Sequence, residues 1–91
     1  MEYETVLLID GLLEDSNIES EIVKTEELIK SKGELKNVTR LGKRRLAYAI
    51  KKKSHGYYAV FNYTGNGKLV DEMEQGFRYN ERVLRYLTIR N

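Results

Sequence analysis

The apolar residues of this chain change their spacing in a definite order, and that order constrains the fold more than any other feature. In four segments they recur at every second position, as in a strand, and in two they recur every three or four residues, as in a helix. The predicted strands cover residues 3–9, 35–51, 57–63 and 83–90, and the helical stripes cover 18–29 and 69–77. The order of elements is therefore βαββαβ. We expect residues 1–91 to form a single domain.

Two helices can cover only one face of a four-stranded antiparallel sheet. The pattern therefore predicts an α+β fold, a two-layer ferredoxin-like sandwich with both helices on one face. Right-handed crossover connections place the first and third strands in the centre of the sheet and the other two at its edges. The residues expected between the helices and the sheet are Leu7, Ile22, Ile29, Val60, Met73 and Phe77. The opposite sheet face is expected to stay open.

Local signals bear on the boundaries of the elements. Ser16 followed by Glu19 is a capping box, which predicts that the first helix begins there, and Gly33 is the expected helix end. Gly42, inside the second strand, predicts a β-bulge. Residues 52–56 form a connection short enough to join the second and third strands in a hairpin.

Composition excludes several functional classes. The chain has no cysteine and one histidine, so it has neither a disulfide scaffold nor a thiolate or histidine-rich metal site, and we expect no cofactor. The longest apolar run, at residues 6–9, is far shorter than a membrane span, so no membrane partner is expected. The acidic residues 2–4 lack the basic character of a signal or transit peptide, and an intracellular protein is the default.

Enzymatic interpretations are weak. Ser54 and His55 are adjacent on a predicted turn, so their side chains are expected to diverge rather than form a nucleophile–base pair. An enzyme of the acylphosphatase kind would need an anion-binding loop after the first strand, whereas residues 10–15 are acidic. We therefore expect no enzymatic activity.

Charge is distributed unevenly along the chain. The formal net charge is +2, but residues 1–40 carry −5 and residues 41–91 carry +7. No acidic residue occurs between Leu35 and Val70. A basic segment of this density favours a polyanionic partner such as a nucleic acid.

The third strand invites comparison with RNA-recognition modules, which have the same topology. Their motif on this strand, K/R-G-F/Y-G/A-F-V-x-F/Y, falls on residues 55–62. Gly56, Tyr57 and Val60 match the motif, but its second and third aromatic positions hold other residues. A stand-alone RNA-recognition-type module is therefore the alternative function, without the usual base stacking on the sheet.

Three segments together resemble a known family. They are G-x-R-R-L-A-Y-x-I at residues 42–50, G-Y-Y-x-x-F at 56–61 and N-E-x-V-L-R-Y-L at 80–87. In these segments and their order, the chain is similar to protein six of the bacterial small ribosomal subunit. The resemblance implies a structural protein of the small ribosomal subunit, located in the cytoplasm. It also implies binding to the central domain of the small-subunit ribosomal RNA together with small-subunit protein eighteen.

The site residues are predicted with these partners in view. Basic side chains on the edge strands and the hairpin are expected to contact RNA phosphates: Arg44, Arg45, Lys51, Lys52, Lys53, Arg85 and Arg90. Tyrosines on the open sheet face are expected to anchor small-subunit protein eighteen: Tyr48, Tyr58 and Tyr63. The isolated protein is expected to be a monomer.

Overall fold

The computed structural model describes all residues, 1–91, and contains the six elements in the predicted order. They are β1 (Glu2–Asp10), α1 (Asp15–Lys32), β2 (Glu34–Ile50), β3 (Lys53–Thr64), α2 (Gly67–Arg78) and β4 (Val83–Arg90). All strand pairs are antiparallel, and the order across the sheet is β2-β3-β1-β4. The prediction of central first and third strands in a ferredoxin-like sandwich is confirmed. Neither helix is long and apolar enough to span a membrane.

The core lies between the helices and one face of the sheet. Thirteen buried residues form it, contributed by both helices and all strands except β2. Five of the six predicted core residues belong to this cluster: Leu7, Ile22, Ile29, Met73 and Phe77. The prediction for Val60 is wrong, because β3 buries the odd-numbered residues Ala59, Phe61 and Tyr63 against the helices. Strand alternation then turns Val60 to the opposite face.

The first helix begins without the predicted capping box. Its N-cap residue is Glu14, which makes no side-chain capping hydrogen bond, so the prediction from Ser16 and Glu19 is wrong. The N–H groups of Asn17 and Ile18 donate to the Glu14 carbonyl instead. Gly33 is the C-cap residue, as expected, and its N–H donates to the Ile29 carbonyl over 2.7 Å.

One carboxylate is buried in the helix layer. Glu21 of α1 is 5% exposed and accepts hydrogen bonds from the Asn80 amide and, over 3.2 Å, from the Arg82 guanidinium. Asn80 also accepts a 3.0 Å hydrogen bond from the Arg82 N–H. These contacts join α1 to the connection between α2 and the edge strand β4.

The turn of the β2–β3 hairpin is shorter than predicted, and β3 begins earlier in the chain. The loop expected at 52–56 reduces to Lys51 and Lys52, both with positive φ (49° and 64°), which matches the primed turns that join adjacent strands. Gly42 has a φ of 93° at a shift in the β2–β3 register, so the predicted bulge is confirmed. The last of three register shifts in this strand pair separates Arg45 from Ile50, and the end of β2 is therefore irregular.

Candidate RNA- and partner-binding surface

The sheet face away from the helices presents rows of side chains that the strand register defines. One row runs Leu87–Val6–Val60 across β4, β1 and β3. The next row towards the hairpin runs Arg85–Leu8–Tyr58. Directly opposite residues on one sheet face lie in side-chain contact. The open face thus changes from apolar to basic and aromatic as it approaches the hairpin.

The irregular end of β2 covers part of this face. Leu8 points away from the helices, yet only 3% of it is exposed, and it lies outside the main core cluster. A Cβ atom on Gly56 would come within 2.3 Å of Leu8 and 3.3 Å of Leu46, so both leucines pack over this glycine. The hairpin segment after Arg45 therefore bends over the sheet at its hairpin end.

This bend creates a pocket of about 390 Å³, which we call the hairpin pocket. Its walls combine three arginines, two tyrosines and several apolar residues. They are Arg44, Arg45, Arg85, Tyr48, Tyr58, Leu41, Leu46, Ala47 and Ile50. No acidic residue lines it.

Arg85 and Tyr48 meet across the pocket from opposite edge strands. The Arg85 guanidinium donates a 3.1 Å hydrogen bond to the Tyr48 hydroxyl, and its central carbon lies 5.8 Å from the centre of the Tyr48 ring. This distance is within the range of a cation–π contact. The two contacts orient a tyrosine that is 63% exposed.

Two lysines among the seven predicted RNA-binding cations form contacts with other parts of the protein. The Lys51 ammonium donates to the Val83 carbonyl over 3.0 Å, and Lys53 lies 3.3 Å from the buried Asp10 carboxylate. Both lysines therefore hold the hairpin against the rest of the fold. The structure gives them a positioning role that the sequence did not reveal.

The remaining predicted cations form no ion pair with a carboxylate. Arg44, Arg45 and Arg85 come together at the hairpin pocket, and the exposed Lys52 lies in the adjacent turn. Arg90 pairs in register with Tyr3 at the other end of β4, so the structure does not bring it to this cluster. By contrast, Arg40 of β2 donates to Glu19 over 2.6 Å, and this hydrogen bond raises the pKa of the guanidinium.

The three predicted anchor tyrosines differ in their surroundings. Tyr48 is exposed and Tyr58 is half-buried on the open face. The prediction for Tyr63 is wrong, because Tyr63 is 1% exposed and stacks on Tyr3 with ring centres 5.7 Å apart. Tyr58 and Tyr63 are five residues apart on one strand, and this odd spacing puts them on opposite faces. Burial raises the pKa of the Tyr63 phenol, whose hydroxyl shares a 2.8 Å hydrogen bond with Thr5.

Four apolar residues on the open face form a second surface, which we call the apolar strip. They are Val6, Val60, Leu87 and Ile89. Leu87 is 58% exposed and Ile89 is 44% exposed. A depression of about 170 Å³ lined by Val6, Leu87, Tyr58 and Arg85 connects the strip to the hairpin pocket. The sequence-based prediction did not include this strip. Its signal is that β4 carries apolar residues at both odd-numbered and even-numbered positions.

The sequence predicted that the Ser54 and His55 side chains diverge, and this prediction is wrong. They lie in β3, and the Ser54 hydroxyl is 2.8 Å from Nδ1 of His55. Ser54 is exposed, and neither residue lines any of the three pockets. No group of three His, Cys, Asp or Glu side chains is placed to hold a metal ion. The chain is thus a small α+β domain with a basic, aromatic surface at its hairpin.

Comparison with known proteins identifies the family. The profile of the family described as ribosomal protein S6 matches residues 2–90. The small ribosomal subunit protein bS6 of Trichormus variabilis is 40% identical over 89 residues, which cover 97% of this chain and 82% of the relative. That of Clostridium botulinum is 36% identical over 88 residues, with 96% and 94% covered.

A solved structure agrees with this identification. The crystal structure of 30S ribosomal protein S6 from Thermotoga maritima matches with a TM-score of 0.92 and 27% identity, over 99% of this chain and 86% of that one. The chain belongs to the ribosomal protein S6 family. The predictions of a non-enzymatic ribosomal protein, and of a place in the small subunit within the cytoplasm, are confirmed by this membership.

Proposed function

We propose that this protein binds the central domain of the small-subunit ribosomal RNA together with small-subunit protein eighteen. The hairpin cations contact the RNA, and the apolar strip contacts the protein partner. The observation that carries the proposal is the cluster of Arg44, Arg45 and Arg85, which has no carboxylate partner in a chain with 14 acidic residues.

The charge pattern supports RNA as the ligand of the hairpin. Two of the five cations on the helices pair with carboxylates, Lys24 with Glu21 at 3.3 Å and Lys32 with Glu72 at 2.7 Å. At the hairpin pocket the arginines face solvent without such partners. Arginine forks bind phosphate oxygens in pairs, and phosphate contacts fix the orientation of a protein on RNA more than they read sequence.

The apolar strip supports a protein as the second partner. Leu87 and Ile89 are exposed beside Val6 and Val60, on a face that no helix covers. Apolar side chains that adjoin one another on a surface mark interaction sites in small proteins. Tyr58, which lines the depression beside the strip, remains a candidate anchor for that partner.

RNA binding at several salt concentrations tests the first part. Arg44→Gln combined with Arg45→Gln should weaken binding of the protein pair to central-domain RNA and lower the salt slope by about two units, one for each lost phosphate contact. Far-ultraviolet circular dichroism should stay native. The matched control is Lys30→Gln with Lys68→Gln, which removes equal charge from exposed positions in the helix layer. Unchanged affinity and slope for the arginine variant would place the RNA elsewhere.

Calorimetry of the two purified proteins tests the second part. Leu87→Thr places a β-branched residue that suits a strand in β4 but removes apolar surface from the strip, so association with small-subunit protein eighteen should weaken. Lack of any association of the unmodified pair at micromolar concentration would refute direct contact before assembly on RNA.

A further inference from the structure

We propose that the hairpin pocket holds one unpaired nucleotide, with its base against the Tyr48 ring and its phosphate on Arg44 and Arg45. The inference rests on the proposed RNA binding and deepens it. It assigns Tyr48 to the RNA instead of to the protein partner.

The charges of the pocket fit a phosphate. Arg44, Arg45 and Arg85 line it together, none of them pairs with a carboxylate, and no acidic side chain lies in the wall. A depression lined by three arginine residues and by no acidic residue carries a positive potential that an anionic ligand neutralises. Arg44 and Arg45 are free to take this role, because their side chains form no hydrogen bond within the protein, whereas Arg85 is held on Tyr48.

The aromatic part of the pocket fits a base. Unpaired RNA bases stack on tyrosine rings and on arginine guanidinium planes, and both groups are present here in mutual contact. The hydrogen bond from Arg85 to the Tyr48 hydroxyl fixes the ring before a ligand arrives. Tyr48 remains 63% exposed, so ring surface is available for stacking.

The dimensions and lining favour a single nucleotide over a peptide. About 390 Å³ lies at the lower end of the range of small-ligand sites, which is roughly 300–1,000 Å³. Leu46 and Ile50 supply an apolar wall beside the ring. An acidic peptide segment without aromatic or apolar side chains would satisfy the arginines, but it would leave the exposed tyrosine ring and the apolar wall without a matching partner.

Titration of the free protein with adenosine 5′-monophosphate and with ribose 5-phosphate tests the pocket directly. Both probes carry the sugar and the phosphate, and only the first carries a base. Resonances of Tyr48 and Arg85 followed by nuclear magnetic resonance should report binding of the nucleotide about tenfold or more tighter than binding of the sugar phosphate. Equal affinities, or no shifts at these residues at tens of millimolar nucleotide, would overturn the proposal.

A second measurement uses the protein pair and central-domain RNA. Tyr48→Leu should reduce affinity about 10- to 100-fold with an unchanged salt slope, since a stacked ring releases no counterions. Tyr48→Phe, which keeps the ring, should retain most of the affinity. Tyr79→Leu is the matched control, because Tyr79 is 77% exposed but lies at the end of α2.

The outcomes separate this inference from the proposed function. If the arginine double variant weakens RNA binding and Tyr48→Leu does not, the RNA contact stands and the nucleotide pocket is wrong. If Tyr48→Leu instead weakens binding to small-subunit protein eighteen alone, Tyr48 is a protein anchor and the inference fails. If neither variant affects RNA binding, the RNA lies elsewhere, and the proposed role of the hairpin cations fails as well.

Discussion

The two faces of the single sheet use similar residues in opposite ways. On the helix side, Tyr63 is buried and its hydroxyl is hydrogen-bonded to Thr5, and Glu21 is paired with Arg82. At the hairpin end of the other face, Tyr48 is exposed and Arg44 and Arg45 have no carboxylate partners. Polar groups satisfied within the protein stabilise the fold, whereas unpaired groups are available for a ligand. The helix-covered face therefore stabilises the fold, and the hairpin end of the other face is the proposed binding surface.

The largest effect on stability is expected from the helix-covered face. Phe77→Ala removes a ring that is 7% exposed and packs on Tyr86 with centres 5.6 Å apart. The free energy of unfolding should fall by about 3–5 kcal/mol, measured by urea denaturation. A loss below about 1 kcal/mol would show that α2 does not pack as described.

The buried carboxylate gives the next effect. Glu21→Gln removes the charge that Asn80 and Arg82 contact, and the free energy of unfolding should fall by about 1–2 kcal/mol. This expected loss of stability lies at the low end of the range for hydrogen bonds to charged groups. The Arg82 side chain is 41% exposed, so solvent screens its interaction with Glu21. Glu27→Gln, on the exposed side of the same helix, is the control and should change stability by less than about 0.5 kcal/mol. Equal losses in the two variants would contradict a structural role for Glu21.

Tyr63 makes the stability of the fold depend on pH in the alkaline range. Its pKa is raised by burial, so above about pH 10 the unfolded chain ionises this phenol while the folded chain resists, and stability falls as pH rises. Tyr63→Phe should cost about 1 kcal/mol near neutral pH through the lost hydrogen bond to Thr5. The stability advantage of the unmodified protein should shrink above pH 10. If the difference in free energy of unfolding between the unmodified protein and Tyr63→Phe stays constant from pH 8 to 11, this pH dependence does not come from Tyr63.

The smallest effect on stability is expected from the apolar strip. Leu87→Thr changes a residue that is 58% exposed, so its free energy of unfolding should stay within about 0.5 kcal/mol of the unmodified protein. Urea denaturation alongside the calorimetric titration with small-subunit protein eighteen measures both quantities on one preparation. A stability loss comparable to that of Phe77→Ala would mean that the two faces do not differ as claimed.

Sequence periodicity predicted the fold well because each element carries its own apolar spacing. The order of elements, the central strands and most of the core followed from it. The assignments of Val60 and Tyr63 failed because β3 is apolar or aromatic at both parities, so the pattern alone does not say which face meets the helices. The prediction that Tyr58 and Tyr63 share the open face overlooked strand alternation, which turns residues five positions apart to opposite faces.

The candidate site was harder to predict, because it depends on tertiary geometry. The contact between Tyr48 and Arg85 joins residues 37 positions apart, through a strand end with a register shift. The positive φ angles at Lys51 and Lys52 had no glycine or asparagine to signal them. The charge pattern marked the basic segment as a candidate site, but it could not distinguish Lys53, which pairs with Asp10, from Arg44, which has no such partner.

The central claim is that the unpaired hairpin arginines attach this protein to the small ribosomal subunit. Sucrose-gradient sedimentation of cell lysates, with immunodetection of the protein, measures that attachment directly. The unmodified protein and the Lys30→Gln/Lys68→Gln control should co-migrate with the small subunit, whereas Arg44→Gln/Arg45→Gln should shift towards the light fractions. If the arginine variant co-migrates with the small subunit as fully as the control does, the account of the hairpin as the attachment site is contradicted.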